Sequence, residues 1–409
     1  MKKRHVIIVG GGASGLMAAI SAAREGAQVT IVEQRERLGK KILSTGNGRC
    51  NLTNEYMDVS CFRGDDTTIV SKILDNFGYQ ETISFFEVLG VILKDRQGYV
   101  YPISDQAGTI LEVLCMEIEH LGVNIILEQS VKNISKTSRG FTVRTTDTTL
   151  LGDAVILATG GRAASVLGSD GSGYALAKTF GHKLSPVVPA LVQLKGKGNF
   201  YKQISGVRTQ AKVSLYVDRG YVCEDTGELQ LTNYGISGIP VFQISRYAAK
   251  ALNEKKAVMA EVDFLPSMSD DVFEDFLHKR IELHGHRTAE DFLIGIFHKK
   301  LIGLLLTASR INTNQVMDAV TNEQINKLVS VSKHFRLEIE GTNDFEQAQV
   351  CAGGVRTSEV NPRTLESVYV DNLYLTGELL DIDGICGGYN LQWAWSTGYV
   401  AGRHAAKGK

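Results

Sequence analysis

The stretch that decides the fold runs from His5 to Gln34, "HVIIVGGGASGLMAAISAAREGAQVTIVEQ". The apolar run His5 to Val9 reads as a buried strand, and Leu16 to Arg24 reads as a helix. Between them Gly10, Gly12 and Gly15 fall on the spacing G-x-G-x-x-G. The first glycine permits a tight turn, the second lets a pyrophosphate reach the backbone, and the third lets helix and strand pack closely. Phosphates would then sit on the unpaired N–H groups at the positive end of the helix. Gln28 to Val32 reads as the next strand. It closes on Glu33, about twenty residues beyond the glycines, where a ribose diol needs an acceptor. A strand, a glycine turn, a helix and a placed acid predict a bound dinucleotide.

Bulk properties narrow the class. The chain has 409 residues, is 43% hydrophobic and carries a formal net charge of −1. That length supports a large core and two or three domains. Near-neutral charge gives no expectation of nucleic acid, and no basic run suggests a membrane surface. The apolar stretches are short of a membrane span, and residues 1–20 read as strand and turn rather than a leader. Six cysteines without C-x-x-C spacing point to reduced thiols in a cytoplasm. Oligomeric state is not written in the sequence.

Further along, Ser104 to Gly122 reads as a helix capped by Ser104 or Asp105. "VNIILEQSVKNI", "FTVRTTD" and "DAVILATGG" read as three strands. Pro186 and Pro189 break the pattern, and "VSLYVDRGYVCEDTGELQLTNYG" alternates like a meander. After Pro266 the texture turns to amphipathic helices, with capping boxes at Thr288 and Thr321. "HFRLEIEG" and "FEQAQVCAGGV" return to strands.

The last segment, "NLYLTGELLDIDGICGGYNLQWAWSTGYVAGRHAAKGK", holds a second glycine-rich turn from strand to helix. It offers Gly377-Glu378 at a strand end and Gly387-Gly388-Tyr389-Asn390 at a helix start. A helix N-terminus there favours negative charge on a flavin pyrimidine ring. Two such turns at opposite ends of the chain suit FAD better than a simple NAD site.

At this point the sequence resembles the FAD-dependent flavoproteins that include aminoacetone oxidases and bile-acid 4,6-diene reductases. The matching segments are "GGGASGLMAA", "GKKILSTGNGRCNLTN", "GYVYPISDQA", "ATGG", "GSDGSGYALAKTFGH", "YGISG", "CAGGV" and "TGELLDIDGICGGYNLQWAWSTGYVAG", spanning Gly10 to Gly402. One position departs: many relatives carry Thr-His where this chain has Thr232-Asn233, so no histidine role is expected there. The resemblance implies an α/β fold with a discontinuous Rossmann-like FAD-binding domain (1–187 and 352–409). It also implies a β-barrel-like substrate domain (188–265 and 333–351) and an inserted helical domain (266–332). It places Gly10, Gly12, Ala13, Ser14 and Gly15 on the pyrophosphate and Glu33 on the adenosine ribose. Thr45, Gly46, Asn47, Gly48, Arg49 and Cys50 wrap the ribityl chain and isoalloxazine. Val131 meets the adenine through its backbone, and Ala158, Thr159 and Gly160 lie beside the cofactor. Gln34, Lys40, Gly377, Glu378, Gly388, Tyr389, Asn390 and Leu391 complete the expected contacts.

Other constellations are weaker. Cys50 and Cys386 have no spacing that pairs them as a redox dithiol. His284 and His286 lack the further ligands of a metal site, so no metal is expected. Tyr99, Tyr101 and Tyr234 are candidates to line a substrate pocket. The expected activity is an FAD-dependent oxidoreductase acting on a small molecule, with hydride passing through flavin N5. NADH or NADPH is the expected transient donor and a conjugated carbonyl compound the acceptor. Candidate donors to that carbonyl are Arg49, Tyr234 and the backbone at Gly387-Gly388. An aminoacetone-type amine oxidase and a non-enzymatic flavin sensor are the alternatives. The apolar segments "LYV" and "YGISGIPVF" are expected to wall the substrate.

Overall fold

The computed structural model describes residues 3–408. It divides into two compact units, 1–188 with 349–409, and 189–348. At the centre of the first unit is a five-stranded parallel sheet in the order Leu373–Leu375, Ala154–Leu157, His5–Val9, Gln28–Val32, Asn124–Ile126. Its inner strands are apolar runs because both faces are covered, while the edge strand Asn124–Ile126 is largely exposed. Val6, Ile7, Ile8 and Val155 are fully buried. The chain reverses direction across the sheet at His5–Val9, which puts the carboxyl end of that strand at a switch point where ligands bind.

The first unit departs from two sequence expectations. "VNIILEQSVKNI" is not one strand. Glu128 takes a left-handed φ of 57°, so Asn124–Ile126 ends in the parallel sheet and Asn133–Thr137 begins an antiparallel meander with Gly140–Arg144 and Thr149–Gly152. The helix expected from Ser104 runs Ala107–His120 behind Gln106. Asp105 does not cap it, because its carboxylate is held by Lys94 and Arg96 at 2.5 and 2.8 Å.

The second unit contains a closed six-stranded barrel, in the order Leu194–Gly196, Gly235–Gly238, Gly220–Leu231, Arg208–Val217, Val258–Asp263, Phe335–Thr342. Alternate residues such as Ala211, Val213 and Leu215 are fully buried. They share one core with Phe273, Leu277 and Leu305 of the helices Asp270–His284 and Lys299–Ala308. The expected apolar substrate wall is therefore corrected: Leu215 of "LYV" and Ile236 and Val241 of "YGISGIPVF" are core, while Ile239 is 55% exposed. A small barrel fills with its own side chains. "GIPVF" also opens an unforeseen helix, Ile239–Asn253, with Pro240 in its first turn. Both threonine caps form, Thr288 on the Asp291 amide and Thr321 on the Gln324 amide. Lys333 Nζ is buried against Asp263 Oδ2 at 2.7 Å and also donates to the carbonyls of Leu265 and Met268.

In the first unit His182 is buried, with Nε2 2.8 Å from Ser367 Oγ. Burial pushes its pKa below the ordinary 6.5, against the opposing charge of Glu359. The unfolded chain thus binds the proton more readily, so stability from this site is present above pH ~6.5 and is lost as pH falls. Urea unfolding at several pH values is expected to show a shallower acid loss for His182→Gln than for the parent. An identical pH profile would contradict the assignment.

Candidate cofactor and active site

The glycine turn is built as its spacing requires. Gly10 has φ of 102°, and a side chain there would press on the Ala158 carbonyl oxygen at 2.5 Å. A side chain on Gly15 would collide with the Gly10 carbonyl. Gly12 differs: a Cβ there meets no protein atom within 4 Å. It sits at the N-cap of the helix Ala13–Arg24, whose first turn has neither a side-chain cap nor an acid. An open glycine at an uncapped helix start that includes Ala13 and Ser14 is a cradle of the size and polarity a pyrophosphate needs.

Glu33 is nearly buried at 9% exposure. Its Oε2 accepts the Gly11 amide and its Oε1 the Arg35 amide, each at 2.8 Å. Each carboxylate oxygen has a second lone pair for a ribose hydroxyl. Gln34 turns elsewhere, its Nε2 donating to the Gly168 carbonyl at 2.6 Å. The Gln129 amide donates to the Glu33 carbonyl, which draws the link containing Val131 to this end of the site. Glu33→Ala is expected to weaken FAD binding by about 1.5–3 kcal/mol, the value of a hydrogen bond to a charged acceptor. Flavin titration of the apoprotein reads this directly, and unchanged affinity would remove Glu33 from the site.

The loop 45–50 holds four left-handed residues, Gly46 (φ 56°), Asn47 (55°), Gly48 (82°) and Cys50 (59°), with Arg49 at φ −100° between the last two. Hydrogen bonds close it, from Thr45 Oγ1 to the Ile42 carbonyl at 2.5 Å and from the Cys50 amide to the Thr45 carbonyl at 3.0 Å. Cys50 is fully buried, and burial pushes its thiol up to about 12. Such a thiol stays protonated, and no disulfide joins any of the six cysteines. Arg49 is exposed on this loop. Tyr101 packs on its other side, with Cε1 3.5 Å from the Gly46 Cβ position. Burial raises the Tyr101 pKa, while the charges of Arg49 and Arg96 oppose the rise. Tyr99 lies 3.1 Å from the Gly387 Cβ position, so two of the three candidate tyrosines border the loops around the site. Tyr234 belongs to the other unit, where its hydroxyl accepts from Asn343 Nδ2 at 2.9 Å.

The C-terminal segment returns to the same place. Gly377 has φ of 64°, and a side chain there would press on Ser14 Oγ. Its amide donates to Thr397 Oγ1 at 2.9 Å. Ala158 donates its amide to the Val9 carbonyl, and a side chain on Gly173 would collide with Thr159. Gly160 turns the chain with φ of 69°. Glu378 Oε2 pairs with Lys41 at 2.9 Å, and its Oε1 accepts the Cys351 amide at 2.7 Å. Lys40 instead pairs with Glu36 at 3.0 Å. The lysine joined to the site by its side chain is thus Lys41, which sequence reasoning passed over. Gly388 (φ 97°) opens the helix Tyr389–Lys407. Asn390 clamps the loop by bonding both the amide and the carbonyl of Gly384, at 2.8 and 2.9 Å. Leu391 packs half-buried on the core. Gln392, also unforeseen, accepts from Thr53 and Thr82 hydroxyls at 2.6 and 3.0 Å.

What fixes the two helix starts relative to each other is backbone contact. Side chains on Gly398 and Gly402 would collide with the carbonyls of Ser14 and Ala18 in the first helix. Tyr389 begins nine residues before Gly398, and Ala13 one before Ser14. The C-terminal helix therefore starts about eight residues, or ~12 Å, beyond the first. Two positive helix ends so spaced suit the pyrophosphate at one and the flavin ring at the other.

These features define an FAD-dependent oxidoreductase. The family described as "HI0933-like protein Rossmann domain" matches residues 4–404, and the chain belongs to it. It is 54% identical over 402 residues to the 3-dehydro-bile acid delta(4,6)-reductase of Clostridium scindens, covering 98% of both chains. It is 28% identical over 401 residues to the ribosomal RNA dihydrouridine synthase of Escherichia coli K12, covering 98% of this chain and 97% of the other. Among solved structures, the 3-ketosteroid-delta4-(5alpha)-dehydrogenase of Rhodococcus jostii RHA1 matches with a TM-score of 0.48 and 14% identity, over 98% of this chain and 97% of its own. No described helix is long and apolar enough to cross a membrane.

Proposed function

We propose that the protein is a cytoplasmic, NAD(P)H-linked reductase that adds hydrogen across a carbon–carbon double bond conjugated to a carbonyl, in a flat steroid-like enone. The observation that carries this is the 54% identity, over 98% of both chains, with a 3-dehydro-bile acid delta(4,6)-reductase. When bound, FAD supplies the two-electron hydride chemistry. Gly12 and the first turn of Ala13–Arg24 would hold its pyrophosphate, Glu33 its ribose, and residues 45–50 with Gly388 its ring end. The chain's own task is then to polarise the substrate. Arg49 donates to the enone oxygen, the helix start at Gly388 adds positive potential, and electron density is drawn from the β-carbon that must receive hydride.

The test is turnover of NADH or NADPH with a 4,6-dien-3-one steroid, simple enones, uridine or aminoacetone, with product analysis and a peroxide assay in air. The expected result is a reduced steroid product with little peroxide. Peroxide from aminoacetone without enone reduction would replace this reading with an amine oxidase, and turnover of uridine alone with an RNA-base reductase. No turnover would favour a flavin sensor.

A further inference from the structure

The reductase reading needs an electron donor, yet the one dinucleotide fingerprint, at Gly10 to Gly15, serves FAD. A second concavity lies wholly within the first unit, between the helix Ser172–Thr179 and residues 184–187. Its volume is about 570 Å³, inside the 300–1,000 Å³ that small-ligand clefts span. Arg162 and Lys178 line it with Asp170, Tyr174, Ser185 and Pro186.

The carboxylate and the lysine differ in their commitments. Asp170 is committed to the turn before the helix, where its Oδ1 accepts the Ser172 amide at 2.9 Å. Lys178 is exposed and enters no ion pair among the described residues. Arg162 is exposed, its Cβ and Cγ 3.5 Å from the Cβ position of Gly171 at the start of the same helix. Its backbone is anchored, with the amide on Cys351 Sγ at 3.2 Å. Ser185 Oγ donates to Asp65 at 2.7 Å and so fixes the floor. The Tyr174 hydroxyl is buried and has no hydrogen-bond partner among the described residues. Burial raises its pKa strongly, so it stays a neutral O–H donor.

The cleft adjoins the cofactor side. Gly173, one residue before Tyr174, packs against Thr159. Arg162 follows Gly160-Gly161 directly, and Cys351 links its amide to Glu378 through the 2.7 Å bond already described.

Resting on the reductase reading, we propose that this cleft binds the phosphate-bearing part of a reduced nicotinamide dinucleotide, with Arg162 and Lys178 as its anion partners. An open cleft suits a donor that must arrive and leave in each cycle. The guanidinium offers paired donors to a phosphate, and the ammonium a point charge.

The experiment uses the FAD-loaded protein in two measurements. Calorimetric titration with NAD⁺ and NADP⁺ compares the parent with Arg162→Met and Lys178→Ala, both at exposed positions. Anaerobic mixing with NADH and NADPH follows flavin bleaching in the same three proteins. Each variant is expected to bind nucleotide roughly tenfold or more weakly, as loss of one charged hydrogen bond implies. Bleaching should need correspondingly more nucleotide, while a dithionite-reduced enzyme is reoxidised by enone at the parental rate. If Lys178 affects NADP⁺ alone, the 2′-phosphate is its partner; if both nucleotides weaken, it is the pyrophosphate, and either result supports the cleft. Equal affinity in all three proteins overturns it, even if bleaching proves the parent to be a reductase. So does no binding to the parent. Weakened binding in the variants without bleaching of the parent keeps the cleft and removes the reductase reading.

Discussion

Gly12→Val is expected to give a folded protein that does not retain FAD. Gly12 has φ of −80° and ψ of −167°, an extended conformation open to any L residue. The added side chain would meet no protein atom within 4 Å at its Cβ, so the apoprotein should unfold within ~1 kcal/mol of the parent. The space it fills is the one proposed for the pyrophosphate. Affinity should therefore fall by more than a hundredfold, about 3 kcal/mol or more. Gly15→Val sets the contrast, since its side chain collides with the Gly10 carbonyl and the apoprotein itself should be destabilised. Flavin content after purification and urea unfolding of the apoproteins separate the two. Parental flavin content in Gly12→Val would remove the phosphate from this turn.

Gly398→Val should be the most damaging substitution away from the ligand. At that position the C-terminal helix rests on the Ser14 carbonyl, and backbone cannot yield as a side chain can. Overpacking usually costs 1–3 kcal/mol, and a helix-on-helix backbone contact belongs at or beyond the upper end, ~3 kcal/mol. Pushing the helices apart also shifts the start at Gly388 relative to the start at Gly12, so FAD affinity should fall together with stability. Gly108→Ala is the control. Its Cβ meets nothing within 4 Å in the helix Ala107–His120, and alanine there should be neutral or stabilising by up to ~1 kcal/mol. Equal stability of Gly398→Val and the parent would contradict the close packing of the two helices.

The glycine turn and its flanking elements were legible because their signals are local. Strand, glycines, helix and acid lie within thirty residues, and each glycine's spacing has one physical use. The second helix start was legible for the same reason, at Gly387-Gly388. What escaped depends on partners distant in sequence. Nothing in "GKK" says that Lys41 rather than Lys40 turns inward, because Glu378 makes that choice. Asp105 looked like a cap until Lys94 and Arg96 claimed its carboxylate. The left-handed Glu128 split a continuous apolar pattern into two strands of different sheets. "GIPVF" read as an apolar wall, although Pro240 near its start is a helix signal. Barrel closure settled the remainder, since apolar alternation alone cannot tell a filled barrel from a ligand cavity.

Transfer of electrons from the bound flavin to a conjugated carbonyl compound is the step that would make the protein an enone reductase. It is tested most directly by reducing the FAD-loaded protein without oxygen, adding a 4,6-dien-3-one steroid, and following the flavin absorbance. The expected result is rapid return of the oxidised flavin spectrum with one saturated bond formed per flavin. A flavin that stays reduced in the presence of the steroid, yet reoxidises on admission of air, would contradict it.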